Sequence, residues 1–308
     1  MNLPVNYEFI NLYNSRMSPS TVHCKNTNLV NYYTKYLFEK VISIYKWEGI
    51  PDSWAVNYFL YTLFGKGFLA VFDTEEYGVI PNECALAGYN VFYQPTTALV
   101  ANPALRENRR MLIGEECELI KMQPNYSGVM DIVSNYADLM ALAMETAGIN
   151  LLNSKLSYVF FSDNQANAAS FKKLYDQIAS GEPMAVIDND LIGIEGEKHW
   201  ELFTQNVGQN YITDRVLTDM RTLENMFNTE IGIPNANTMK RERLISDEVN
   251  SNNIDTQSKV ILWLETMQND IKKVNEMFGL NISVKYRYED KEVEADAVKT
   301  DNVDNGAL

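Results

Sequence analysis

Gly232-Ile233-Pro234-Asn235-Ala236-Asn237-Thr238-Met239-Lys240-Arg241-Glu242-Arg243-Leu244-Ile245-Ser246-Asp247-Glu248-Val249-Asn250-Ser251-Asn252 is a long polar segment set between two helical patterns and followed by a strand. Gly232 and Pro234 stop the helix before it, because glycine accepts the left-handed cap and proline has no N–H to donate. After the segment, Val260, Leu264, Met267, Ile271, Val274 and Phe278 recur four and three apart, which is one apolar stripe along a helix that Gly279 ends. In Asn281 to Tyr288, Ile282, Val284, Tyr286 and Tyr288 alternate with Ser283, Lys285 and Arg287, the period of a half-buried strand.

Working outward, residues 28 to 48 read as a helix with Val30, Tyr33, Leu37, Val41 and Ile44 on one face, stopped by Gly49 and Pro51. A second helix is expected from an Asp52-Ser53 cap, carrying Trp54, Tyr58, Tyr61 and Phe64. From Gly65 to about Met122 the pattern changes to short β-like runs, Phe68 to Phe72, Tyr89 to Tyr93 and Ala98 to Val100, which predict a small sheet or barrel. A long helix is expected over Val129 to Leu152. Its small residues Ala137, Ala141, Ala147 and Gly148 leave room for a close helix neighbour. A mixed insert follows, with strands at Tyr158 to Phe161 and Met184 to Ile187 and a helix at Ser170 to Ile178; a second long helix then runs over Phe203 to Glu230. From Glu289 the chain is acidic with little large apolar surface after Val293, too little to offset the entropy of ordering, so a weakly ordered tail is expected.

The block from Met226 to Tyr288 resembles the upper collar, or portal, family of small short-tailed phages that prime DNA replication with a protein. The carrying residues are Gly232-Ile233, Asn235-Ala236-Asn237, Lys240, Glu242-Arg243, Asp247-Glu248-Val249, Ser251-Asn252, Asn275-Glu276, Gly279-Leu280-Asn281 and Val284-Lys285-Tyr286-Arg287-Tyr288. Weaker likeness extends through Phe38-Glu39, Trp47-Glu48-Gly49-Ile50-Pro51, Ala85-Leu86-Ala87-Gly88, Val91, Tyr93-Gln94 and Lys172 to Gln177. The resemblance implies an α+β, mainly helical, portal-like subunit that assembles into a ring of about twelve copies. Its parts would be a wing at 1–127 and 254–290, stem helices at 128–155 and 203–233, a small α/β clip at 156–202, a channel loop at 234–253 and the acidic tail at 291–308. The implied partners are double-stranded DNA, the major capsid protein, a scaffolding protein, a packaging ATPase and the lower collar or tail protein, with no membrane and no cofactor.

The same resemblance implies that the polar segment projects into a central channel. Lys240, Arg241, Arg243 and, on the second long helix, Arg215 are then the DNA-channel contacts, and Asn235, Asn237, Glu242, Asp247 and Glu248 belong to the loop. Asn206 stands where the family pattern has a basic residue, so one ring of charge is missing. Residues 1 to 15 contain no Lys or Arg, so the packaging-RNA contact of the best-known family form is not carried over.

Composition agrees with a chain that does not coat nucleic acid. The 308 residues carry a formal charge of −15, whereas such coating draws its affinity from basic side chains on phosphates. An acidic wall suits DNA that must slide, although net acidity also simply keeps a protein soluble. No run approaches the roughly 20 apolar residues of a membrane span, the N-terminus has no basic and apolar leader pattern, and the expected location is intracellular. Cys24, Cys84 and Cys117 show no metal-like spacing and read as reduced thiols.

His23 and His199 have no metal-like companions, and His23 beside Cys24 reads as an incidental surface pair. Gly65-Lys66-Gly67 is too short to cradle a phosphate, and no nucleophile elbow is present. Asp188-Asn189-Asp190 follows an apolar run, and carboxylates at a strand end can hold magnesium in a nuclease. Asn and Asp also suit a polar turn, and no further acidic residue or Lys at useful spacing completes a site. No catalytic residue and no metal site is therefore expected; a metal-dependent nuclease at Asp188 and Asp190 is the rival reading, and another head–tail adaptor ring the third.

Overall fold

The computed structural model describes residues 21–105, 108–155, 158–162, 200–204, 211–234 and 246–288, with isolated helical positions at 169, 172, 173 and 176. The expected strand at Met184 to Ile187, the acidic tail and most of the Ser170 to Ile178 helix lie outside them. The fold is α+β and mainly helical, in two compact units: residues 1–142 with 221–308, and residues 143–220.

In the larger unit, α1 (Thr27–Ile42) starts where the Asn26 side chain accepts the Leu29 N–H and buries Tyr33, Leu37, Phe38 and Val41. It ends six residues earlier than the sequence pattern implies. Tyr45–Glu48 forms β1, drawn out of the helical pattern by antiparallel pairing with β10 (Ser283–Tyr286). The two strands meet at a tight corner. Gly49 has φ +72°, and a Cβ there would lie 2.0 Å from the Asn281 carbonyl oxygen.

Helix α2 (Val56–Lys66) begins at Ala55 without a side-chain cap, not at Asp52-Ser53. The β region consists of two three-stranded antiparallel sheets. One has β2 (Phe68–Thr74) between β3 (Gly78–Asn82) and β7 (Cys117–Lys121); the other has β5 (Pro95–Val100) between β4 (Ala85–Tyr89) and β6 (Arg109–Leu112). Phe68, Ala70 and Phe72 of the first sheet share a core with Leu86, Ala98, Val100 and Met111 of the second. β2 is apolar almost throughout because both its faces are covered: Leu69 and Val71 alternate with the core set and are fully buried, and α2 packs on this strand. The run Tyr89 to Tyr93 is not a strand. Asn90 Oδ1 accepts the N–H groups of Phe92 and Gln94 at 2.9 and 3.0 Å, folding residues 90–94 into a tight turn.

Helix α3 (Met130–Lys155) crosses into the smaller unit; its larger-unit part buries Val133, Tyr136, Ala137, Met140 and Ala141. The smaller unit holds antiparallel β8 (Tyr158–Ser162) and β9 (Trp200–Thr204), and the start of α4 (Thr213–Glu230). β9 occupies part of the stretch expected to be helical from Phe203. Within this unit Asn150 Oδ1 accepts the Ile212 N–H at 3.0 Å and the Thr213 hydroxyl at 2.8 Å, so the helix starts where a side-chain acceptor is supplied.

Helix α5 (Ser246–Phe278) carries the expected stripe, with Val260, Leu264, Met267, Ile271 and Val274 all buried. It packs on β7, and the buried Asp270 carboxylate accepts the Lys121 N–H at 3.0 Å. Burial pushes the Asp270 carboxyl up despite the ammonium groups of Lys121 and Lys273 at 3.7 Å. No helix among the described residues is long and apolar enough to cross a membrane.

Candidate functional site

The polar segment enters from α4 through a built C-cap. Gly232, at φ +79°, donates to Thr229 O at 3.2 Å, and Ile233 donates to Asn228 O at 2.8 Å, the two bonds of a Schellman ending. A Cβ on Gly232 would stand 2.3 Å from Val260 Cγ2, so α5 crosses the cap at a distance only glycine allows. The Tyr286 hydroxyl donates to the Gly232 carbonyl, and the Tyr45 hydroxyl donates to the Val260 carbonyl at 3.0 Å. Lys259 Nζ and Glu230 Oε1 lie 3.0 Å apart outside this contact. Two tyrosines from the β1–β10 pair therefore lock the end of α4 to α5.

A second polar cluster ties α4 to α1. Lys40 Nζ donates to Glu224 Oε1, Tyr36 Oη donates to the same oxygen at 2.6 Å, and Asn228 Oδ1 accepts from Lys40 at 3.3 Å. Burial raises the Glu224 carboxyl, but the hydrogen bonds from Lys40 and Tyr36 outweigh it and hold the group below its ordinary value. A depressed folded-state value contributes stability that is complete above the unfolded carboxylate value near 4.5 and is lost as pH falls below it. Glu224→Gln is expected to cost about 1–2 kcal/mol at neutral pH, the scale of a charge-assisted hydrogen bond, and to flatten the acid limb of a stability–pH profile. An unchanged acid limb in that variant would remove Glu224 from the account.

The predicted site residues divide in three. Arg215 is exposed on α4 in the smaller unit. Asn235, Asn237, Lys240, Arg241, Glu242 and Arg243 lie outside the described residues, as do Asn206, Asp188, Asp190 and His199. Asp247 and Glu248 are in the first turn of α5, not in a loop reaching 253. Acidic residues in a first turn are favoured by the positive end of the helix dipole, a start signal that the run Asn250-Ser251-Asn252-Asn253 concealed.

His23 is more than an incidental surface residue: its Nδ1 lies 2.6 Å from Oδ2 of the buried Asp138, whose Oδ1 accepts the Cys24 N–H at 3.0 Å. The partner is 115 positions away, so no local pattern announces it. Cys24, Cys84 and Cys117 are buried and form no disulfide, and burial pushes the thiols of Cys84 and Cys117 up to about 12. Among the described residues no group of three His, Cys, Asp or Glu side chains could hold a metal.

The family model described as Phage Connector (GP10) matches residues 20–291. The chain belongs to the phage connector family. It is a phage structural protein of the head–tail connector class. Among solved structures, it is similar to a chain in the portal and tail of native bacteriophage P68, at 14% identity and TM-score 0.44, covering 100% of this chain and 99% of that one. It is also similar to a chain in the virion of a native gene transfer agent particle, at 11% identity and TM-score 0.43, covering 98% and 95%.

Proposed function

We propose that this connector-family chain forms a ring of about twelve copies at one capsid vertex, through which double-stranded DNA enters during packaging and leaves during ejection. The observation that carries the reading is the family match, which spans residues 20–291 and so includes the polar segment together with both of its helical roots. In this reading the phage is of the small, short-tailed, protein-primed kind, and the subunit is assembled in the host cytoplasm. Residues 1–127 and 254–290 form the wing, 128–155 and 203–233 the stem, 156–202 the clip, 234–253 the channel segment and 291–308 an acidic tail.

Arg215, Lys240, Arg241 and Arg243 contact phosphate in the channel, and Asn235, Asn237, Glu242, Asp247 and Glu248 share the channel lining. Such contacts are sequence-independent and screened by salt, which suits restraint without a fixed register. Acidic neighbours weaken each one, and multiplicity around the ring makes the sum useful. The chain performs no bond chemistry; ATP hydrolysis belongs to a separate packaging ATPase. The major capsid protein, a scaffolding protein and a lower collar or tail protein are the other partners.

Native mass spectrometry of the purified chain is expected to give a closed ring of about twelve copies, and a monomer or dimer at micromolar concentration would sink the reading. Deleting Thr238 to Val249 is expected to leave the ring intact while filled heads lose DNA. Heads that kept full-length genomes with this deletion would end the restraining role of the segment. Magnesium-dependent cleavage of DNA that vanished in Asp188→Ala would turn the case to a nuclease.

A further inference from the structure

Among the described residues, the two-stranded β1–β10 sheet has one edge capped and one edge without a partner strand. On β10, Gln268 Nε2 donates to Val284 O at 3.1 Å, and the Asn275 side chain exchanges bonds with both backbone groups of Ile282 at 2.8 and 3.0 Å, so α5 caps that edge. On β1, the Arg287 N–H to Ile44 O bond sets the ladder parity, which turns the N–H and C=O of Trp47 to the outer edge. Arg287 covers the carbonyls of Ser43 and Tyr45 there, at 2.7 and 3.5 Å, while no strand among the described residues pairs with Trp47 on that side. Beside this edge runs a groove of about 560 Å³ whose apolar lining includes Trp47, Ile50, Val56, Leu60 and Tyr61. Val56 and Tyr61 are 42% and 49% exposed, and the buried indole Nε1 of Trp47 has no hydrogen-bond partner among the described residues.

We propose that the N-terminal segment Leu3–Phe9 of this polypeptide adds to the outer edge of β1 as a third, antiparallel strand, with its apolar side chains in the groove. Leu3, Val5, Tyr7 and Phe9 alternate with Pro4, Asn6 and Glu8, the period of a strand with one apolar face. The register follows from geometry. In an antiparallel pair, a residue bonded to Trp47 has its side chain on the Trp47 face, so the apolar odd positions turn their backbone groups inward and the even ones outward. Pro4, which has no N–H, is then on the open side, the one place an edge strand tolerates it. Glu8 falls on the face that carries Lys46 and Lys285. A parallel strand would turn Pro4 inward. Phe9 precedes Thr21 by twelve positions, enough to reach about 40 Å when extended, so the strand can dock on its own subunit or on a neighbour. The inference concerns this edge alone and does not require the chain to form a ring.

The test is hydrogen exchange at the Trp47 amide in the full chain and in a chain lacking residues 2–9. Exchange is expected to be at least tenfold faster after the deletion, and a synthetic peptide of residues 2–10 should restore protection. Tyr7→Pro should behave like the deletion and Asn6→Pro like the unmodified chain, because only the first removes an inward donor. Equal Trp47 exchange with and without residues 2–9, including protection that persists because something else covers the edge, overturns the proposal. So do Asn6→Pro and Tyr7→Pro chains that cannot be told apart.

Discussion

Gly232→Val is expected to destabilise the larger unit by about 2–5 kcal/mol, measured as a loss in denaturant-unfolding free energy. Two costs add. A β-branched residue at φ +79° gives up roughly 1–2 kcal/mol to the left-handed backbone. The new side chain also occupies the space of Val260, whose Cγ2 would lie 2.3 Å from its Cβ, and overpacking of that kind costs about 1–3 kcal/mol. The two costs separate in a double-mutant cycle. Val260→Ala should recover the steric part in the Gly232→Val background and leave the backbone part, giving a favourable coupling between the two positions. A Gly232→Val chain within about 1 kcal/mol of the unmodified protein would mean that the cap can move off α5. Because this cap is one root of the polar segment, the same substitution should disturb the segment's entry angle without altering any of its charged residues.

Phe227→Ala is expected to cost about 3–5 kcal/mol, the range for emptying a fully buried aromatic site. Phe227 is 0% exposed and meets the Tyr136 ring edge-on, with centroids 5.4 Å apart, so it joins α4 to α3 within the larger unit. Phe227→Leu keeps most of the volume and should lose a good deal less. The unfolding midpoints of the two variants give the comparison. A Phe227→Ala loss below about 1 kcal/mol would show that the surrounding helices close over the cavity or were never tightly packed there.

What was legible in the chain was periodic or covalent. The stripe from Val260 to Val274 appears as the buried face of α5, and the alternation before Tyr288 appears as β10, because each pattern is written within one element. The stop at Gly232 was equally visible, since proline and glycine act through their own backbones. Boundaries failed where a distant partner intervened. Residues 45–48 continue a helical pattern, yet they are a strand because β10 lies ready to pair with them from the far end of the chain. Residues 246–253 look like loop by propensity, yet they are helical, in a helix that the buried stripe anchors from Val260 onward.

By itself, then, the sequence determined a mainly helical α+β chain, the polar segment with its acidic and basic residues, and membership in a family recognised by that segment. Only the tertiary structure decided what holds the segment's roots. The lock of Tyr286 on Gly232 and Tyr45 on Val260, and the cluster of Tyr36 and Lys40 on Glu224, join groups 54, 215 and up to 188 positions apart. Neither they nor the His23–Asp138 pair leaves a local trace. A hydrogen bond depends on distance and direction between two atoms, and those exist only once apolar burial has brought distant segments together.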